Sequence, residues 1–315
     1  MNAVQHPDLR IGRPNWASVF FTGLTGLATF LILAILALIL GNALYHGWSN
    51  FNWRFLTGGT AKGMFSGGNG IWPMIYGTSA RVILMTIFVM PVGVITAIYL
   101  TEYAPSGSLL TRFIRSAVNN LAGVPSIVFG LFGLGFFISF IGRNMDAALN
   151  PGVEAPVWGK PALIWASLTL AVMTLPVVIV ATEESLRAIP QGLREASLAL
   201  GATKLETVVK IVLPQALPGI MTGAILAIGR AAGEVAPILF TGAAYYMASL
   251  PHALSDQFMD LGYHIFILST QSPNVTETRP IAYATVLALL LLTFSLNLVA
   301  ILIRARMRSK MRAMH

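Results

Sequence analysis

The chain has 315 residues, of which 56% are hydrophobic and only 10% are charged, and its formal net charge is +8. So few charged residues exclude a soluble globular protein and indicate an integral membrane protein. The chain contains no cysteine, which excludes disulfides and thiolate chemistry.

Six apolar runs are long enough to cross a hydrocarbon core of roughly 30 Å, which takes about 20 helical residues. In chain order they lie at 17–41, 76–100, 117–142, 162–181, 216–246 and 281–304. Backbone amides in lipid must be satisfied within their own segment, and the runs lack the alternation of barrel strands, so we predict six transmembrane helices. The first run is too long for the apolar core of a secretory signal.

Basic residues are unevenly distributed over the connecting segments. If the N-terminus is inside, the outer segments contain only Arg54, Lys62, Arg143, Lys160 and Arg279, and the inner segments and the C-terminal tail contain most of the others. Short loops rich in Lys and Arg resist translocation, so both termini are predicted to be cytoplasmic. The net charge then reflects topology and contact with the anionic lipid bilayer, and we predict no nucleic-acid binding.

The order of the segments predicts three parts. Residues 1–70 form the N-terminus, the first span and a Gly-rich outside loop, residues 71–304 form the transmembrane core, and residues 305–315 form a basic cytoplasmic tail. Between the last two spans, an amphipathic stretch at 258–267 predicts a short surface helix. No strong internal repeat occurs, which argues against an inverted-repeat secondary transporter.

A polar loop at 182–215 separates two of the predicted spans. A short helix is expected at 192–200, and Gly201 can take the left-handed conformation that ends such a helix. A second helical piece at 204–212 leads to Pro214, where the chain re-enters the membrane. The loop is therefore predicted to be a short helix pair along the inner surface, with small side chains at its bend that let a partner approach closely.

This loop reads Glu195-Ala196-Ser197, then Gly201, then Ile211-Val212-Leu213-Pro214. The pattern resembles the EAA loop of binding-protein-dependent ABC importer permeases, with Ser197 in place of the second Ala. The resemblance implies that the helix at 194–201 docks into a groove on a separate ATP-binding subunit and transmits its opening and closing. The candidate coupling residues are Arg194, Glu195, Ala196, Gly201, Leu213 and Pro214. The alternative is an ordinary connector at the membrane surface.

Three further segments lie at 70–78 (GIWPMIYGT), 122–130 (AGVPSIVFG) and 229–237 (GRAAGEVAP). They are similar to the permease of phosphate-specific ABC importers, the PstA-type subunit, although Val235 stands where that family more often has Thr. The resemblance covers roughly residues 65–304. It implies a MetI-like core of five helices plus an N-terminal helix, in a bacterial cytoplasmic membrane.

The same resemblance implies a second, homologous permease chain, two copies of the ATP-binding subunit and an external phosphate-binding protein. ATP and Mg would be used by the partner ATPase, with no cofactor in this chain. Permeases for sulfate, molybdate or phosphonate share the loop and stay open as alternatives, as does, with less support, a secondary transporter.

Arg230 and Glu234 are charged residues inside a predicted span, where each costs roughly 2.5–3.5 kcal/mol on insertion scales and is normally kept for function. Four positions apart on one helix, they would share a face, and Pro237 would bend that helix beside them. Arg230 would attract a phosphate oxygen, and Glu234 would accept the proton that phosphate still carries and sulfate lacks. A buried ion pair that only fixes helix packing remains the alternative.

Weaker candidates for the substrate pathway are Ser126 and Thr241, whose hydroxyls could equally bond to their own helix backbone. Arg81 is predicted to be an interfacial residue that snorkels at the outer side. The run Gly159-Lys160-Pro161 lacks both the first Gly and the Ser or Thr of a phosphate loop. No nucleophile or metal-ligand pattern occurs either, so we predict a transport subunit and not an enzyme.

Overall fold

The computed structural model describes residues 16–60, 70–105 and 107–312. Most of these residues are helical, and an isolated parallel bridge joins Ala243 to Phe258. The α-helices are α1 Trp16–Gly47, α2 Trp53–Thr57, α3 Trp72–Ile98, α4 Leu109–Ala122, α5 Ser126–Phe132, α6 Arg143–Leu149, α7 Leu163–Arg187, α8 Gln191–Ala199, α9 Lys204–Thr207, α10 Leu213–Gly233, α11 Ile238–Thr241, α12 Leu261–Thr270 and α13 Val275–Arg312. Wider π-helical turns continue α3 over Tyr99–Tyr103, α5 over Gly133–Gly142 and α9 over Val208–Val212.

Within the described residues, six continuous helical segments are long and apolar enough to cross a membrane. They are Trp16–Asn50, Trp72–Tyr103, Ser126–Leu149, Leu163–Arg187, Lys204–Gly233 and Val275–Met307. The prediction of an all-helical protein with six spans is confirmed. The bounds of the third and fifth spans differ from the sequence prediction, and both differences occur at a proline.

The predicted third span, 117–142, is wrong at its N-terminal end. The helix breaks at Gly123–Pro125, so α4 is a separate amphipathic helix and the span begins at Ser126. Pro125 supplies no backbone donor and disfavours helical geometry in the preceding residue, which explains the break. α3 and α7, by contrast, continue through their internal prolines, Pro91 and Pro176.

The predicted fifth span, 216–246, ends earlier than its apolar run. Helix α10 stops at Gly233, Glu234 is extended (φ −79°, ψ 128°), and the chain turns again only in the short α11. Pro237 cannot donate to the carbonyl of Gly233, so that carbonyl is left without a helical partner where α10 ends. At its other end the predicted piece 204–212 joins α10 through Pro214 without a break. The span is therefore one long helix that starts beside α8 and ends inside the bundle.

The core lies around α7, which packs against α3 and α10. In the most apolar part of α7, 67% of the residues are buried, whereas the corresponding part of α1 has none. The main cluster includes Val82 and Met85 of α3, Leu170 and Val178 of α7, and Ala227 of α10. Helix α1 packs mainly against α13 and leaves most of its apolar side chains exposed. Five spans thus form the packed bundle, and the N-terminal helix is attached to its outside.

The stretch at 258–267, predicted as a short interfacial or surface helix, overlaps α12, so the helix is confirmed, and its apolar side packs on the bundle. Phe258, Leu261 and Ile267 are fully buried, and α12 packs against α13 and α3. Its first turn is capped by Asp260, whose Oδ1 accepts from the Tyr263 amide at 3.1 Å. The apolar residues that suggested a surface helix are covered by the bundle.

Candidate functional site

The loop at 182–215 folds as its sequence predicts. Helix α8 follows α7 closely, and Gly201 ends the turn with a φ of +86°, a conformation that side chains with a Cβ rarely adopt. The amide of Ala202 then donates to the Ser197 carbonyl at 3.2 Å. Helix α9 begins at once with a capping box between Thr203 and Glu206. The result is a tight pair of short helices.

The outward face of α8 combines charge with uncovered apolar surface. Glu195 and Ala196 are exposed, and Glu195 makes no ion pair within the described part of the chain. Leu200 is 89% exposed, beside Gly201, which is also exposed. Leu213 and Pro214 are half-buried where α10 starts. This face of α8 is therefore not covered by the described part of this chain.

Arg194 points the other way, into the chain. Its Nη2 and Nε donate to Glu102 Oε1 at 2.8 and 3.2 Å, and its remaining donors reach the carbonyls of Leu186 and Ile189, both at 2.7 Å. The side chains of Arg194 and Glu102 are only 12% and 8% exposed. Arg194 therefore fastens α8 to the end of α7 and to the π-helical turns after α3. The sequence analysis did not identify Glu102.

A cavity of about 880 Å³ lies beside α8, between α4 and the end of α7. Several cationic side chains line it, and Arg115 and Arg187 share Glu183 at 2.8 and 3.0 Å. The cavity was not predicted, because it forms only where three separate segments meet. It lies on the α8 side of the molecule and does not include Arg230 or Glu234.

Arg230 and Glu234 come together, but not in the predicted way. Since α10 ends at Gly233, the two do not share one helical face. Arg230 Nε and Glu234 Oε1 are 3.6 Å apart across the helix end, too far for a hydrogen bond, and the side chains are 40% and 23% exposed. A Cβ added at Gly233 would meet no atom within 4 Å. The two side chains are thus only partly covered within this chain, and an ion pair that fixes packing, including packing against a second permease chain, stays the alternative.

The two hydroxyl candidates differ. Ser126 is half-buried at the start of α5, one turn before Gly130, where a Cβ would lie 3.1 Å from the Ala236 carbonyl oxygen. Ser126 therefore lies one turn before the residue of α5 that packs against the connection between α10 and α11. Thr241 is fully buried, and its hydroxyl donates to the Pro237 carbonyl at 2.9 Å. For Thr241 the structure favours the backbone-bonded alternative.

Arg81 is not the interfacial residue that its position suggested. It is fully buried, and its Nε donates to Asp260 Oδ2 at 2.6 Å. Its Nη1 and Nη2 donate to the carbonyls of Ala231 and Ala232 at 2.8 and 3.1 Å. The last carbonyls of a helix have no partner within it, and Arg81 supplies two of the missing donors to α10. Asp260 had a weak sequence signal, an acid just before an apolar helix.

Comparison with known proteins is consistent with this fold. Residues 89–312 match the family model described as binding-protein-dependent transport system inner membrane component. A probable ABC transporter permease protein, YqgI of Bacillus subtilis (strain 168), is 36% identical over 220 residues, 70% of this chain and 68% of that protein. The phosphate transport system permease protein PstA 1 of Mycobacterium tuberculosis (strain CDC 1551 / Oshkosh) is 37% identical over 193 residues, 61% of this chain and 56% of that protein.

Among solved structures, a bacterial ABC transporter involved in the import of the acidic polysaccharide alginate has a similar chain. The TM-score is 0.60 at 16% identity, over 93% of this chain and 96% of the other. Identity this low shows the fold alone. The family match covers most of the chain and includes α8 and the end of α10. The protein thus belongs to the family of inner membrane components of binding-protein-dependent transport systems, as a multi-pass permease subunit of an ABC importer.

Proposed function

We propose that this chain forms half of the translocation pore of an ATP-driven importer of inorganic phosphate. The observation that carries the proposal is the Arg230–Glu234 pair at the open end of α10, where the helix stops inside the bundle. Non-helical backbone at membrane depth is tolerated where it is covered by protein or lines a water-filled cavity. The PstA 1 relative and the three segments that resemble phosphate permeases support phosphate as the substrate.

The chemistry of the pair fits an oxyanion that still carries a proton. The guanidinium of Arg230 offers a planar set of donors to two oxygens of one anion. Glu234 Oε1 lies 3.6 Å from Arg230 Nε, too far for a hydrogen bond. The carboxylate can therefore accept a hydrogen bond from the proton that hydrogen phosphate carries. Sulfate has no such proton at neutral pH and would meet an unpaired carboxylate, which selects against it.

Coupling to ATP hydrolysis would start at the outward face of α8. Glu195, Ala196 and Gly201 would meet the ATP-binding subunit, which uses ATP and Mg while this chain holds no cofactor. Arg194 would act inside the chain, since its bonds to Glu102 and to the end of α7 carry a displacement of α8 into α3 and α7. Leu213 and Pro214 begin α10, whose far end holds Arg230.

The proposed assembly contains this chain, a second homologous permease, two copies of the ATP-binding subunit and an external phosphate-binding protein. It would lie in a bacterial cytoplasmic membrane with both termini of this chain in the cytoplasm, as the distribution of Lys and Arg indicates. In this arrangement α8 and α9 face the ATPase, and the loop before α12 faces the binding protein.

The test is ATP-dependent uptake of radiolabelled phosphate into vesicles that contain the whole complex, with excess sulfate as competitor. We expect uptake that requires ATP and ignores sulfate. Arg230→Gln should abolish uptake while the complex still assembles, because it removes the charge that attracts the anion. The matched control is Arg143→Gln, an exposed arginine of α6.

Two results would contradict the proposal. Inhibition by sulfate would shift the substrate to another oxyanion. Normal phosphate uptake by an assembled Arg230→Gln complex would remove Arg230 from the pathway.

A further inference from the structure

A buried ion pair joins three helices at the end of α10. Arg81 comes from α3, Asp260 precedes α12, and both side chains are 0% exposed. Through Arg81 the pair reaches the carbonyls of Ala231 and Ala232, which lie between Arg230 and Glu234 in sequence. The pair is thus bonded directly to the backbone that carries Arg230 and Glu234.

Every polar group of this pair has a defined partner. Arg81 uses Nε for Asp260 and its two terminal nitrogens for the two carbonyls. Asp260 Oδ2 also accepts from the Thr78 hydroxyl at 2.8 Å, and that hydroxyl accepts from the Leu261 amide at 3.0 Å. Each group therefore fixes the orientation of the next. Such a network holds one geometry only while all of its members are present.

Electrostatics favour this position for a cation. The C-terminal end of a helix carries a partial negative charge, and Arg81 places its guanidinium against it. Asp260 neutralises the guanidinium without competing for its carbonyl partners, because it binds only Nε. A lysine could keep the ion pair, but its single ammonium lacks the planar fork that reaches two carbonyls at once.

We propose that Arg81 and Asp260 are positioning residues that hold the broken end of α10, so that Arg230 and Glu234 face the same space. The transport role of this pair rests on the function proposed above for Arg230 and Glu234. The holding of the helix end does not, and it is measured separately. Asp260 also caps α12, so a movement of α12 would be transmitted to the same backbone.

The test uses the absence of cysteine in the natural chain. In the assembled complex, a single cysteine at the fully buried Ala232 reports opening of the helix end through its rate of reaction with N-ethylmaleimide. Ala227→Cys is the matched reporter, since Ala227 is 1% exposed on the same helix and has no bond to Arg81. The reporters are combined with Asp260→Asn, which keeps the side-chain shape, and with Arg81→Lys.

We expect both changes to accelerate labelling at position 232 on the order of tenfold, as for the loss of one hydrogen bond to a charged group, with little change at 227. The maximal rate of phosphate uptake per assembled complex should fall with either change. Arg81→Lys should not preserve the rate, whereas lysine would preserve it if the ion pair were needed only for packing. Asp256→Asn is the control, because the Asp256 carboxylate accepts from the amides of His252 and Ala253 and, within the described residues, makes no hydrogen bond to α10.

Unchanged labelling at 232 in both variants, or equal acceleration at 227, would overturn the proposal. So would full uptake by the Arg81→Lys complex. Faster labelling at 232 together with normal uptake by Arg230→Gln would support the role of Arg81 and Asp260 in holding the helix end. It would remove only the proposed pathway role of Arg230.

Discussion

Two arginines, Arg81 and Arg194, use the same device at different depths of the molecule. Each forms an ion pair with one acid and gives its remaining donors to two carbonyls near the C-terminal end of a helix, α10 for Arg81 and α7 for Arg194. The pair of Arg81 is 0% exposed on both sides, whereas the pair of Arg194 keeps 12% and 8% exposure.

The comparison shows how one local chemistry can serve two purposes. Arg81 is enclosed by the core, so its bonds cannot exchange with water and hold a fixed geometry. Arg194 lies on a short helix whose other face is open, so a partner that moves α8 pulls directly on its bonds. The buried arginine is suited to hold a site, and the shallower one is suited to transmit a movement.

The largest effect that tests this difference is expected from Arg81→Met. The change leaves Asp260 buried without its counter-charge, and breaking a buried pair on one side costs about 3–5 kcal/mol. We expect a large loss of thermal stability of the purified complex in detergent. The double change Arg81→Met with Asp260→Leu should recover part of it, since no unpaired charge remains. Equal stability of the single and double variants would contradict a buried, unscreened pair.

Arg194→Met should have a smaller effect on stability and a specific effect on coupling. Loss of its bonds is expected to cost about 1–3 kcal/mol, because water can reach the groups left behind. The ATPase subunit should still co-purify, since Glu195 and Ala196 are unchanged, but stimulation of ATP hydrolysis by the loaded binding protein should be lost. Normal stimulation would show that α8 transmits movement by another contact. Arg187→Met, a more exposed partner of Glu183, is the control.

The smallest effect is expected at the bend itself, from Gly201→Ala. A Cβ at a φ of +86° costs roughly 1–2 kcal/mol, so the end of α8 should fray and ATPase association should weaken. Gly192→Ala is the matched control, because that glycine lies inside α8 at a negative φ with no atom near its Cβ. Alanine there should stabilise α8 slightly. Co-purification of the ATPase with each variant measures the difference, and equal binding would exclude a role for the left-handed turn.

The backbone of the loop at 182–215 was predictable from its own residues, and the end of α10 was not. Gly201 acts through its own backbone dihedral angle, and the short helices follow from neighbouring residues, so the sequence alone was sufficient. For Arg194 the sequence identified the right segment but missed that the side chain points inward, since its partner Glu102 is 92 positions away. Helix α12 was identified from its own residues, but the elements that cover its apolar side, α13 and α3, could not be.

By itself, the sequence determined the class of the protein, its six spans and the helix pair of the inner loop. Those features depend on apolar length, on the need of backbone amides in lipid for local partners, and on single residues such as Gly201. Only the tertiary structure decided where α10 ends within its apolar run and which donors satisfy that end. Arg81 and Ala231 are 150 positions apart, and Arg81 and Asp260 are 179 apart. Contacts over such distances depend on how the helices pack, and no local pattern records them.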